Sequence, residues 1–130
     1  MNDSDAEHFK IYLEDTDQQI HALSETLTSW QQASSGEAWR QESLRLLHAM
    51  EGDAGAMEFE HVRGLTQYLN RQFDRACSNG EQIDPAAIRR LLRGVEFLRD
   101  CNDRLRAGQP LDSSSELLEQ LKAALDDDQE

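Results

Sequence analysis

Apolar residues recur every three or four positions along most of this 130-residue chain, with polar residues between them. This spacing is typical of amphipathic α-helices that bury one face. It predicts helices over about residues 4–30, 37–57 and 58–78. Their apolar positions are Phe9, Leu13, Ile20, Leu23 and Leu27, then Trp39, Leu46, Leu47, Met50, Ala54 and Met57, then Phe59, Val62, Leu65, Leu69, Phe73 and Ala76. The stretch QASSG (32–36) breaks the chain after the first helix, and SNGEQ (78–82) ends the third.

Two further helices carry explicit start signals. Asp84 is a suitable N-cap, and Pro85 after it suits the first helical position. The stretch SSSE (113–116) fits a capping box in which Ser113 and Glu116 each accept a backbone N–H. Their apolar positions are Leu91, Leu92, Val95, Leu98 and Leu105, then Leu117, Leu118, Leu121 and Leu125. The stretch AGQP (107–110) ends the fourth helix.

The order and length of these segments predict an all-α fold. Long helices joined by loops of about 4 to 6 residues favour an up-and-down antiparallel four-helix bundle, with the fifth C-terminal helix against one end or side. An aromatic content of 6% and only two prolines also favour helix over sheet. We expect one helical domain over residues 1–125 and an acidic tail, or the start of a linker, over residues 126–130.

The charge balance restricts the classes of partner. The formal net charge is -13, from 26 acidic and 13 basic residues, and such a chain repels nucleic acid phosphates and anionic lipids. No apolar run approaches the roughly 18 residues that span a bilayer, and the start MNDSDAEH does not resemble a signal peptide. Cys77 and Cys101 lack a metal-ligand spacing, so we expect buried, reduced thiols. These features predict a cytoplasmic, monomeric protein whose partners are proteins, with no nucleic acid or membrane binding.

The stretch LLHAMEGDAGAMEF (46–59) combines helix formers with two glycines. Each glycine costs a helix about 1 kcal/mol relative to alanine. On a helical wheel His48 faces away from the apolar positions, and Gly52 and Gly55 fall within about 40° of it. We therefore expect the glycines to clear a strip beside an exposed imidazole, where another protein can approach. Leu44, on the same side, is predicted to add an apolar contact for docking.

An exposed histidine at such a strip has a specific chemical use. The neutral imidazole is a nucleophile near pH 7 and can accept a phosphoryl group on nitrogen. The simpler alternative is a solvated histidine on a charged helix face. The wheel alone leaves both interpretations open.

The stretch HAMEGDAGAMEF (48–59) resembles the signature of the histidine phosphotransfer (Hpt) family, which runs H-x-x-K-G-x-A-G-x-x-G-F in the chemotaxis-kinase (CheA) type. His48, Gly52, Ala54, Gly55 and Phe59 match it by type and spacing. The order and lengths of the helices also resemble the N-terminal phosphotransfer domain of such kinases, over about residues 5–125. The resemblance implies that His48 is phosphorylated by a histidine kinase domain and exchanges the phosphoryl group with an aspartate on a response regulator receiver domain. Met1 would then fit an N-terminal position.

Several positions depart from the family pattern. Its lysine, three residues after the histidine, is Glu51, which would repel a phosphoryl group by about 1 to 3 kcal/mol at about 6 Å. The lower end of this range is expected, because the carboxylate can swing into water. The histidine and glutamate that orient the imidazole from the third helix correspond to Gln67 and Asn70, and the last glycine of the signature is Glu58. Either His48 carries phosphate at low occupancy, or the fold is a docking module with little phosphotransfer.

Other constellations point to no further chemistry. Glu58 and His61 have the ExxH spacing of di-iron bundles, but no second such pair appears. His8, His21 and His61 are predicted to be solvated. There is no phosphate-binding glycine loop and no recognisable catalytic motif, so we expect neither a cofactor nor a metal.

Overall fold

The computed structural model describes residues 3–32, 37–77 and 83–126, and the regular structure within these ranges is entirely α-helical. The helices are α1 (Asp3–Gln31), α2 (Glu37–Ala56), α3 (Glu60–Ala76), α4 (Pro85–Arg106) and α5 (Ser114–Leu125). The all-α prediction is confirmed. The predicted loop residues 33–36 and 78–82 and the tail residues 127–130 lie outside the described part.

The first four helices pack around a common core. α1 contacts α2 and α4, and α3 contacts the same two helices, so the four close into a ring. α5 packs along one side of this ring, against α3 and α4. These contacts are consistent with the predicted bundle and its fifth helix.

The core is built from the predicted apolar positions. Each of the five helices contributes to one main cluster, which contains Ile20, Leu23, Leu27, Leu46, Leu47, Met50, Leu65, Leu69, Phe73, Leu91, Val95, Leu98, Leu117, Leu121 and Leu125. A smaller cluster, formed by Tyr12, Leu13, Ala54 and Val62, lies beside the turn between α2 and α3. The Phe59 ring meets the rings of Phe9 and Tyr12 edge-on, at centroid distances of 5.8 and 5.1 Å.

Both cysteines are free and buried, as expected. Burial raises the pKa of the Cys101 thiol to about 11 and also raises the pKa of Cys77. Both side chains are therefore protonated near neutral pH and behave as small apolar groups.

The predicted helix starts are found at both capped positions. The Asp84 side chain accepts a hydrogen bond from the Ala86 backbone N–H at 3.0 Å, with Pro85 in the first turn. Ser113 and Glu116 form the reciprocal capping box, in which the Ser113 hydroxyl accepts from the Glu116 N–H at 3.3 Å. These caps satisfy backbone donors that a helix start otherwise leaves free.

The turn between α2 and α3 lies within two residues of the predicted boundaries. α2 ends at Ala56 rather than residue 57, and α3 begins at Glu60 rather than residue 58. The Phe59 N–H donates to the Ala54 carbonyl at 2.8 Å and the Glu58 N–H to the Gly55 carbonyl at 3.0 Å. This is the Schellman pattern, which requires a left-handed residue between the two helices. Glu58 is that residue, with φ of 61°.

Replacing Glu58 by glycine is therefore expected to stabilise the fold. A left-handed backbone costs a residue with a Cβ about 1 to 2 kcal/mol, whereas glycine adopts it freely but loses more entropy on folding. We expect a net gain of about 1 kcal/mol in the free energy of unfolding, measured by urea denaturation. Glu60→Gly is the control, because Glu60 is helical and lies in the acidic first turn of α3, so this change should destabilise. An unchanged or lower stability for Glu58→Gly would show that the turn is not strained.

Candidate functional site

His48 lies on the outer face of α2. Its side chain is exposed, while Leu46, Leu47 and Met50 on the opposite side are buried, as the helical wheel predicts. Within residues 3–32, 37–77 and 83–126, no group forms a hydrogen bond or ion pair with the His48 ring. The ring nitrogens are therefore accessible to an incoming reactant.

The His48 ring borders an open depression between α2 and α3. We call it the His48 depression, and it is lined by His48, Glu51, Gly52, Gly55, Glu60 and Arg63. It combines one imidazole, two carboxylates, one guanidinium and the backbone of two glycines. Both predicted glycines therefore lie at the site together with the histidine.

The two glycines have different surroundings. A Cβ added at Gly52 would have no atom within 4 Å, so this part of α2 is bare. A Cβ added at Gly55 would lie 3.6 Å from both Cδ and Nε of Arg63. The surface is therefore open at Gly52, whereas the Arg63 stem lies beside Gly55. That the two glycines clear a strip for docking stays a prediction.

Leu44 is more enclosed than a surface contact residue. Its side chain is half-buried and packs against the main core cluster. Contact with the core therefore accounts for an apolar residue at this position. The part of the side chain that remains accessible can still contribute to docking, which stays a prediction.

The α2–α3 turn determines which residues of the two helices meet. Gly55 lies four positions before Phe59 and Arg63 four positions after it, and Arg63 Cδ lies 3.6 Å from the place of a Cβ on Gly55. Glu51 and Gln67, eight positions before and after Phe59, are joined by a hydrogen bond.

The same antiparallel register extends to His48. Asn70 lies three residues beyond Gln67, and His48 lies three residues before Glu51, so the same count predicts that the two are level across the helix pair. Asn70 is half-buried. The hydrogen bond to Glu51 places Gln67 against α2, and the correspondence of Gln67 and Asn70 with positions that orient the histidine stays a prediction.

The Glu51 carboxylate is held in place rather than free in water. The Gln67 amide Nε2 donates to Glu51 Oε2 at 3.0 Å, and both side chains are half-buried. This contact replaces the expected swing of the carboxylate into solvent. A negative charge is thus positioned one turn from His48, on the same face of α2.

The other histidines lie outside this arrangement. His8 and His21 are exposed, and His21 Nε2 lies 3.3 Å from Glu25 Oε2. His61 is half-buried, which is less solvated than predicted. Glu58 is in the turn before α3, so the ExxH pair does not lie on one helix. In the described ranges, no three His, Cys, Asp or Glu side chains are grouped to hold a metal ion.

Arg63 is the site residue that the sequence interpretation missed. It lies outside the HAMEGDAGAMEF stretch and matches no position of the family signature. The signal that identifies it is its position in the sequence, four residues after Phe59. An antiparallel turn centred on Phe59 places Arg63 opposite Gly55.

Comparison with known proteins gives one informative similarity. No protein-family model matches the chain. The chain is 20% identical over 122 residues to the chemotaxis protein CheA of Halobacterium salinarum (strain ATCC 29341 / DSM 671 / R1). The match covers 93% of this chain and 18% of that relative's length. This similarity supports a CheA-like relationship. At most, it places the chain with chemotaxis-type signalling modules.

A helix that spans a membrane must be long and predominantly apolar. Across the three described ranges, no helix has both the length and the apolar composition needed to cross a bilayer.

Proposed function

We propose that the chain is a histidine phosphotransfer domain that carries a phosphoryl group on His48. The donor and acceptor are a histidine kinase domain and the aspartate of a response regulator receiver domain, as in the Hpt family. The His48 ring is exposed, is bonded to none of the described residues and lies beside the bare backbone of Gly52, and this observation supports the function most directly.

The reaction requires one nucleophilic nitrogen and an open approach. The lone pair of a neutral ring nitrogen attacks the phosphorus of the receiver's aspartyl phosphate. A nitrogen–phosphorus bond forms, the phosphorus–oxygen bond of the acyl phosphate breaks, and the aspartate carboxylate leaves with the electron pair. Transfer to a receiver takes the same path in reverse. Because Gly52 has no side chain, the receiver's active site can approach the ring closely.

Exchange with a phosphorylated receiver tests this function. Receiver domains from the source organism are phosphorylated with acetyl phosphate, freed of the donor and mixed with the chain. We expect at least one receiver to lose phosphate faster with the chain present, while acid-labile phosphate appears on the chain. If no receiver or histidine kinase domain from that organism transfers phosphate to it, the proposed function is wrong.

The held carboxylate of Glu51 favours a second candidate function. A fixed negative charge beside His48 disfavours a phosphoryl dianion, which suits a domain that docks a receiver or kinase without phosphotransfer. The two functions differ in how variants behave. A relay loses signalling output with His48→Gln, whereas a docking module keeps its output with that change and loses affinity when Leu44 is altered.

Replacing Glu51 by lysine is expected to increase the yield or lifetime of phosphohistidine. The change removes a repulsion of about 1 kcal/mol or more and adds an attraction, so we expect an increase of at least about fivefold. Glu51→Gln should give a smaller increase, because it removes the charge only. Phosphorus NMR at alkaline pH measures both.

Glu14→Lys is the matched control for that series. It makes the same change in net charge at an exposed position of α1, outside the His48 depression, and should leave the phosphohistidine yield unchanged. A yield that is equal or lower in Glu51→Lys would contradict the electrostatic account.

A further inference from the structure

Arg63 is a positively charged residue in the lining of the His48 depression. The ionisable residues that line this depression are His48, Glu51, Glu60 and Arg63, and Arg63 alone among them is a permanent cation. A phosphoryl group on His48 would enter a space that already contains two carboxylates. Among the residues that line the depression, the guanidinium of Arg63 is the group that would balance its charge.

The contacts of Arg63 fix its stem and leave part of its head group available. The stem lies over the bare backbone of Gly55, with Cδ and Nε 3.6 Å from the place of a Cβ. Arg63 Nη1 donates to Glu60 Oε1 at 3.1 Å, and the side chain is 43% exposed. Nη2 and Nε form no hydrogen bond with the described residues. The free N–H groups of the guanidinium can therefore donate to a second acceptor while the stem stays beside Gly55.

We infer that Arg63 binds the phosphoryl group on His48 and replaces, from α3, the positive charge that is absent at Glu51. This inference rests on the proposed function. A guanidinium presents several N–H donors in a planar fork that matches phosphoryl oxygens. In this interpretation the Arg63 stem lies beside Gly55, and Gly52 provides the approach for the partner.

Chemical phosphorylation separates this inference from the proposed function. Phosphoramidate transfers its phosphoryl group to exposed histidines without a kinase or receiver. The new bond joins nitrogen to phosphorus, the phosphorus–nitrogen bond of the donor breaks, and ammonia leaves. The intact chain is treated at pH 8, and the rate of appearance and the lifetime of phosphate on His48 are measured by site-resolved mass spectrometry.

Removing the guanidinium is expected to reduce the rate of appearance or the lifetime of phosphate on His48. Arg63→Ala should lower the rate or lifetime about fivefold to tenfold, and Arg63→Lys should restore part of it because the charge remains. Arg99→Ala is the matched control. Arg99 forms a similar i,i+3 ion pair with Glu96 at 3.0 Å, is 39% exposed and lies on α4, which does not contribute to the depression. This control should behave as the unaltered chain.

A double replacement identifies the electrostatic role. In the Glu51→Lys background the depression has a second cation, so Arg63→Ala should have a clearly smaller effect there than in the unaltered chain. Equal effects in the two backgrounds would overturn the inference, and so would an unchanged rate and lifetime in Arg63→Ala. Failure of the proposed function gives a different pattern, in which phosphoramidate labels His48 but no receiver exchanges phosphate with it.

Discussion

His48→Gln is expected to abolish phosphate exchange between this chain and its receiver. Glutamine has a similar polarity but no nucleophilic nitrogen, so no bond to phosphorus forms at this position. His48 is exposed and bonded to none of the described residues, so the fold should lose no more than about 0.5 kcal/mol. The experiment measures acid-labile phosphate on the chain after incubation with a phosphorylated receiver.

The control for this prediction is His21→Gln. His21 is also exposed, but it lies on α1 beside Glu25 and away from the depression. It should retain full exchange. Exchange that persists in His48→Gln would place the phosphoryl group on another residue, and loss of exchange in both variants would indicate a general effect on the fold.

Gly52→Gln is expected to stabilise the fold and impair transfer at once. A glutamine side chain has open space at this position, and its helix propensity exceeds that of glycine by about 0.5 kcal/mol. The same side chain stands one turn from His48, where a receiver must approach. Since small displacements of reacting groups slow transfer strongly, we expect the rate of exchange with a receiver to fall about tenfold or more.

Two comparisons isolate this steric effect. Gly64→Gln introduces the same side chain into open space on α3, outside the depression, and should gain similar stability without losing transfer. Labelling of Gly52→Gln by phosphoramidate should change little, because a small donor needs less room than a protein. A normal rate of exchange in Gly52→Gln would show that the glycine does not serve access.

Much of this arrangement could be predicted from the sequence, because it depends on local rules. The 3.6-residue period places Leu46, Leu47 and Met50 in the core and His48 outside. The caps at Asp84 and Ser113 depend on the chemistry of a few adjacent residues, and they mark the helix starts correctly.

The features that could not be predicted depend on contacts between helices or on an unfavourable backbone. Glutamate rarely adopts the left-handed conformation, so the residue type at position 58 did not indicate that Glu58 would adopt it between α2 and α3. The link from Gln67 to Glu51 and the position of Arg63 over Gly55 can be inferred only once that turn is known. Gly94 lies where a Cβ would come within 2.5 Å of Leu69, a close helix approach with no signal in its own neighbourhood.

The most direct measurement of the central claim locates the phosphate itself. The chain is incubated with a phosphorylated receiver or a histidine kinase domain, kept at neutral or alkaline pH because phosphohistidine is lost in acid, and fragmented for mass spectrometry. The account predicts phosphate on His48 and on none of His8, His21 and His61. Phosphate on another side chain, with His48 unmodified, would contradict it.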